Sequence, residues 1–256
     1  MVDRLPAGLV VLAAALAGCG GSVAAPSQQT VAHAKPRPPA KTCRVGVESR
    51  LGSSRLAYAA VAQMPLRVFR SPRGPVVARF PRLNPNGIPN VFGVVGVTKG
   101  RHCGPAWYHV RLPMRPNGAV GWIRADAVWV GHVRTRIAID VSQHRLTFFR
   151  NGRRVFSATI AVGASATPTP TGRFYVNQLL IPTDPGGPFG PGAIGISAFS
   201  NVLTGWTQGG PVAIHGTNEP WSIGRSVSNG CIRLPNSVLR RLFRAVSTGT
   251  PVDITA

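Results

Sequence analysis

Cys231 lies sixteen residues after His215, and these two side chains could be joined in one reaction. A free cysteine near pKa ~8.5 is mostly protonated at neutral pH, and only its thiolate is a strong nucleophile. An imidazole within hydrogen-bond reach can remove that proton. His215 ends the apolar run Pro211-Val212-Ala213-Ile214, which reads as a buried strand. The Gly216–Val227 excursion is long enough to bring the chain back beside it. Gly230 removes a side chain where a carbonyl must approach closely, and lets the backbone N–H of Cys231, together with its own, face a developing oxyanion. Ser228 and Asn229 add polar groups at the same rim. Arg233 carries a planar guanidinium able to hold a carboxylate by two parallel hydrogen bonds; in an arginine-rich chain a solvated arginine is the alternative. Ser226, Thr217 or a backbone carbonyl could orient the imidazole, and Trp221 reads equally as cleft wall or core. Spacing alone would favour a structural thiol and an unrelated histidine, so the surrounding string has to decide.

The elements that must position these groups occupy 134–256. Ile137, Ile139 and Val141 alternate with Ala138 and Asp140; Leu146 and Phe148 follow, then Asn151-Gly152, then Val155 and Phe156. This predicts strand, turn, strand, hairpin turn and strand. Thr167–Gly172 is a proline-rich turn before a strand at Phe174–Val176. Residues 182–195 are too rich in Gly and Pro for regular structure and predict one long loop, of the kind that is usually functional. Val238, Leu239, Leu242, Phe243 and Val246 repeat at helical spacing behind Asn236 or Ser237 as N-cap, and Thr250–Ile254 closes as a strand.

Upstream, short β-like runs alternate with turns from Cys43 to about Val133: Leu66–Phe69, Val76–Phe80, Val91–Val97, Trp107–Leu112 and Val120–Ile123, the last two joined through Asn117-Gly118. The pattern Trp107…Gly121-Trp122-Ile123…Asp126-Ala127-Val128 resembles bacterial SH3-like domains, small barrels commonly attached to cell-wall enzymes. Residues 20–41 have little to bury and end Pro-rich, which reads as a disordered tether. Leu9–Leu16 is too short to cross a bilayer of ~30 Å as a helix but has the size of a signal-peptide core. It ends in Leu16-Ala17-Gly18-Cys19, which resembles a lipobox and implies cleavage before Cys19 and lipid on its thiol; an ordinary secretory signal is the alternative. The chain thus divides into signal peptide 1–18, tether 19–41, SH3-like domain 42–133 and a second domain 134–256. With Cys19 lipidated, the simplest partition pairs Cys43 with Cys103 and leaves Cys231 free; the alternative keeps Cys43 and Cys103 reduced.

Thirty glycines and 24 prolines in 256 residues favour short strands over a helical bundle. The formal charge of +22 is almost all arginine, which suits an anionic cell-wall polymer or membrane surface. The arginines are scattered, without the motifs of nucleic-acid binding, so nucleic acid is not expected as a partner. No CxxC or HExxH occurs, so neither metal nor cofactor is expected.

Read whole, the ordered string His215-Gly216-Thr217, Ser222-Ile223-Gly224 and Ser228-Asn229-Gly230-Cys231-Ile232-Arg233-Leu234 resembles the signature of the L,D-transpeptidase family (YkuD domain), which cross-links bacterial peptidoglycan. The earlier Ala161-Val162-Gly163…Thr167–Gly172 stretch and the Gly-Pro-rich loop belong to the resemblance, which covers roughly 134–256. Family chains typically carry histidine where this one has Asn229, so the resemblance leaves the base role to His215 alone. The resemblance implies a mainly β protein: a small SH3-like barrel, then a β-sandwich-like catalytic domain with one late helix. It implies Cys231 as acylated nucleophile, His215 as general base, and Ser228 and Arg233 as supporting neighbours. It implies attack on the third residue of a tetrapeptide stem, loss of the terminal D-alanine, and a 3→3 cross-link through a thioester. The same site could pass the acyl group to water, as an L,D-carboxypeptidase, or to another amine. A non-catalytic wall-binding lipoprotein is the more distant alternative. The expected location is the cell envelope outside the cytoplasm, with the chain held to the membrane by lipid.

Overall fold

The computed structural model describes residues 43–205 and 210–256; the expected signal peptide, Cys19 and the expected tether lie outside them. The described chain is mainly β. The first half contributes β1 (Glu48–Arg50), β2 (Ala57–Ala62), β3 (Leu66–Phe69), β4 (Val76–Phe80), β5 (Val91–Lys99), β6 (Pro105–Arg111), β7 (Val120–Arg124) and β8 (Val128–Val133). They form one sheet in the order β4-β3-β7-β6-β5-β2-β8, with β1 also pairing β5. Cys43 and Cys103 are joined by a disulfide at one end of this unit.

The chain enters a second sheet at Thr135. It contributes β9 (Thr135–Asp140), β10 (Arg145–Arg150), β11 (Arg153–Thr159), β12 (Val162–Gly163), β13 (Gly172–Leu180), β14 (Ala193–Phe199), β15 (Pro211–His215), β16 (Ser226–Ser228), β17 (Ile232–Arg233), the helix α1 (Asn236–Ala245) and β18 (Pro251–Thr255). The sheet order is β11-β10-β9-β18-β13-β14-β15-β17, while β12 and β16 pair separately. Ile137, Ile139, Leu146, Phe148, Val176, Ile194, Ile196, Val212, Ile214 and Ile232 point to one core, which Leu239 and Leu242 of α1 close. Alternation then fixes the other face. With Val212 and Ile214 turned inward, Ala213 and His215 must turn outward.

The two sheets meet through a buried contact. Tyr175 of β13 is 2% exposed, and its hydroxyl donates to the Val91 carbonyl at 2.9 Å, with the Arg111 carbonyl at 3.3 Å. Its ring lies on Gly93, where a Cβ would sit 2.9 Å from a ring carbon. Asn117 and Phe199 exchange two hydrogen bonds, side-chain Nδ2 to carbonyl and backbone N–H to Oδ1. The Asn117-Gly118 turn thus joins β6 to β7 and also docks on the second sheet.

Besides the two- and three-residue strands β12, β16 and β17, four strands went unread in the sequence. β1 is short and wholly exposed, β2 is alanine-rich, and β8 is interrupted by Gly131. The fourth, β14, begins inside the segment expected to be loop: 193–195 pair with both β13 and β15, so the irregular segment is only 181–192. Ala193 and Gly195 line the cleft while Ile194 and Ile196 enter the core, a division that composition alone hides. The helix starts at Asn236 with no side-chain cap. Asn236 instead accepts from the Thr217 N–H and donates to the Thr217 carbonyl, so the expected N-cap is a brace for the segment after His215.

Removing the Tyr175 hydroxyl should leave a buried carbonyl without its donor. Tyr175→Phe is expected to lower unfolding free energy by about 1–3 kcal/mol in urea denaturation. An unchanged midpoint would show that the hydroxyl does not help to join the sheets.

Candidate active site

β15 and β17 run parallel with Ile214 opposite Ile232 and His215 opposite Arg233. One step back, Cys231 falls opposite Ala213. Because side chains alternate, Cys231, Arg233, Ala213 and His215 all share the face turned away from the core. The thiol and the imidazole are therefore diagonal neighbours across two adjacent strands. Cys231 is free and partly buried.

The loop before Cys231 is tied down from both sides. Gly230 has φ +105, a conformation that favours glycine. A Cβ there would meet only ordinary contacts, at 3.5 Å from the Pro168 carbonyl, so its backbone angle, not space, selects glycine. Ser228 is 2% exposed and its hydroxyl donates to the Cys231 carbonyl at 2.6 Å. The same hydroxyl accepts the Gly230 N–H at 3.2 Å. That bond corrects one expectation: the Gly230 N–H is engaged within the loop and does not face the cleft. Thr167 donates to the Ser228 carbonyl and Thr169 to the Gly230 carbonyl, each at 3.0 Å. Thr169 in turn accepts the Gly163 N–H at 2.8 Å. The proline-rich Thr167–Gly172 turn is thus the clamp on the nucleophile loop. Asn229 is exposed.

His215 is 4% exposed. Its Nδ1–H donates to the Gly216 carbonyl, leaving the Nε2 lone pair as the basic position. The backbone carbonyl is therefore the orienting group, and the side-chain candidates serve elsewhere. Ser226 pairs with His144, while Thr217 accepts the Glu219 N–H. Phe189, from the Gly-Pro-rich loop, sits edge-on to the imidazole at 5.0 Å. It is the lone aromatic in that stretch, which was the available signal. The loop can pass this close because Gly190 and Gly216 lack side chains; a Cβ on Gly190 would lie 2.8 Å from the Gly216 Cα.

Burial controls the protonation of both groups. It lowers the His215 pKa to about 4, the Gly216 bond opposing and the Arg233 charge adding to the effect. It also raises the Cys231 thiol, against the opposing pull of the Ala213 N–H and of Arg233. The resting pair is thus a neutral thiol beside a neutral imidazole. Arg233 is not a vacant carboxylate receptor, because its Nη1 is already bonded to Glu219. Glu219 escaped the sequence reading, since nothing in its spacing marks it as the counter-ion. Trp221 is 57% exposed with Arg225 over its ring, so it is neither core nor a residue lining the cleft around Cys231.

That cleft has a volume of about 780 Å³, and Cys231, Ala213, Gly195, Gln178, Phe189 and Asn86 are among the residues that line it. Asn86 comes from the first sheet's half of the chain.

Residues 134–254 match the family model of the YkuD L,D-transpeptidase catalytic domain. The YkuD protein of Bacillus subtilis (strain 168) is 41% identical over 118 residues, covering 46% of this chain and 64% of that protein. Its Bacillus licheniformis counterpart is 39% identical over 120 residues, covering 47% and 65%. The chain therefore spans just under two-thirds of the length of these relatives. Among solved structures, the catalytic domain from the Enterococcus faecium L,D-transpeptidase is 26% identical, covers 47% of this chain and 96% of that one, and superposes with a TM-score of 0.35. The second sheet, its clamped cysteine loop and α1 thus lie in the stretch of the chain that is similar to L,D-transpeptidase catalytic domains.

Proposed function

We propose that this protein is a cysteine acyltransferase of the L,D-transpeptidase type acting on peptidoglycan stem peptides. The observation that carries the reading is the placement of a free Cys231 and a buried His215 on one outward face of β15 and β17, beside a cleft. Similarity over 134–254 supplies the reaction class.

In this reading the Cys231 sulfur attacks the carbonyl of the third stem residue as its proton passes to His215 Nε2. The Cys231 N–H stabilises the oxyanion. Collapse breaks the amide bond, and the departing D-alanine amine takes the proton from His215. A second stem's side-chain amine then attacks the thioester, giving its proton to His215 and releasing the thiol; the product is a 3→3 cross-link. Arg233 favours the thiolate as it forms, while Glu219 holds that charge in place. The SH3-like reading makes the first sheet an accessory module. Cys19 would hold the protein at the membrane outside the cytoplasm, and the arginine excess would keep it against anionic wall polymer. Mapping the mature N-terminus to any residue but Cys19 would remove the anchor.

Incubation with a tetrapeptide stem should give one acyl adduct by intact mass, mapped to Cys231 and absent from Cys231→Ala. His215→Gln should slow its formation by roughly 10²–10⁴-fold. Equal rates in wild type and His215→Gln would remove the base. Product analysis separates cross-linked dimers from the hydrolysed stems of a carboxypeptidase.

The neutral resting pair has its own signature. Alkylation of Cys231 by iodoacetamide should keep rising with pH beyond the ordinary thiol range, because its pKa is raised. A plateau between about pH 5 and 8, as a preformed thiolate–imidazolium pair would give, would contradict it.

A further inference from the structure

A row of residues crosses the second sheet in register, and both of its ends are chemically armed. Gln178 of β13 pairs with Gly195 of β14, Gly195 with Ala213 of β15, and Ala213 lies opposite Cys231. All four line the same cleft. The two middle residues are the smallest available, so they make a floor between a nucleophile at one end and a carboxamide at the other. Three strand spacings of about 4.8 Å put the ends roughly 14 Å apart, the length of about four extended residues.

The Gln178 side chain leans inward along that floor. Its Nε2 lies over Gly195, 2.9 Å from where a Cβ on that glycine would stand. A β-bulge produces this pose: Asn177 and Gln178 both face Gly195 on the partner strand, so both side chains fall on the same side. Asn177 Oδ1, buried and without a hydrogen-bond partner, lies over the same glycine, an acceptor that favours the N–H edge of Gln178 there.

The first sheet's half of the chain fixes the other edge. The Nδ2 groups of Asn84 and Asn86 both donate to Gln178 Oε1, each at 2.9 Å. Their loop is itself rigid: Asn84 Oδ1 accepts the N–H groups of Asn86 and Ile88, and the Asn84 N–H donates to the Ile88 carbonyl at 2.7 Å. Two donors on one oxygen leave the Gln178 amide a single orientation, with its N–H groups toward the cleft.

We infer that Gln178, held by Asn84 and Asn86, is a substrate-positioning residue that donates to a carbonyl of an extended peptide two to three residues from the one attacked by Cys231. The inference deepens the stem-peptide reading and rests on it. It makes the N-terminal half of the chain part of the specificity site. A peptide whose far carbonyl is missing gains nothing from Gln178, whereas a small electrophile reaches Cys231 without meeting it.

The test measures Cys231 acylation by a tetrapeptide stem, by a stem truncated at the far end, and alkylation by iodoacetamide, in wild type, Gln178→Glu and Asn84→Ala/Asn86→Ala. Gln178→Glu keeps the shape and removes the donors. It should lower kcat/KM for the full stem by roughly 10- to 100-fold, mostly through KM, with iodoacetamide alkylation unchanged. Wild type should lose a similar factor on the truncated stem, and Gln178→Glu should lose little more. The double asparagine variant should move in the same direction by about 3- to 10-fold. Wild-type kcat/KM in Gln178→Glu overturns the inference alone, as does a loss shared equally by iodoacetamide, which marks a structural role. No stem adduct on wild-type Cys231 overturns the stem-peptide reading and this inference with it.

Discussion

An imidazole sealed from water holds a proton poorly, and a thiol in the same surroundings gives one up reluctantly. His215 and Cys231 share that condition, and most of the structure around them answers to it. Phe189 covers the ring, the Gly216 carbonyl fixes its tautomer, and the face they share is dry enough that neither group carries charge at rest. Charge would then arise only when a substrate carbonyl offers an oxyanion to balance it. The Arg233 guanidinium acts on both groups, favouring the thiolate and disfavouring the imidazolium. Its ion pair with Glu219 keeps this cation in place at the edge of the site.

Holding such a pair takes more than two side chains. The cysteine loop is clamped by Thr167 and Thr169, the histidine segment by Asn236, and both clamps bind backbone carbonyls or N–H groups. The backbone also holds the reacting imidazole, through the Gly216 carbonyl. The two halves of the chain are joined by Tyr175 and Asn117 on backbone carbonyls and by Asn84 and Asn86 on the Gln178 side chain. One of these contacts ends in the cleft itself.

The sequence made plain what depends on local pattern. Alternation at 135–159, the Asn151-Gly152 turn, the buried run before His215 and the helical spacing at 238–246 each have a period or a turn residue to show. What it hid depends on distant partners. Glu219 becomes a counter-ion only because β15 and β17 lie side by side, and Asn236 is a brace only because the His215 segment passes it. β14 was concealed because glycine and alanine, which fit a crowded sheet interior beside a cleft, look locally like loop. Gly230 was singled out for the close approach of a carbonyl, whereas its glycine answers to a positive φ and its N–H turns inward to Ser228, details fixed by backbone angle and not by residue type.

The central claim is that burial keeps the His215–Cys231 pair neutral until substrate arrives. The most direct measurement is an NMR titration of the His215 ring with selectively labelled histidine. The account predicts that His215 stays neutral through the physiological range, with a midpoint near pH 4. A midpoint at or above the ordinary histidine value of about 6.5 would mean that the imidazole is charged beside the thiol, and would contradict it.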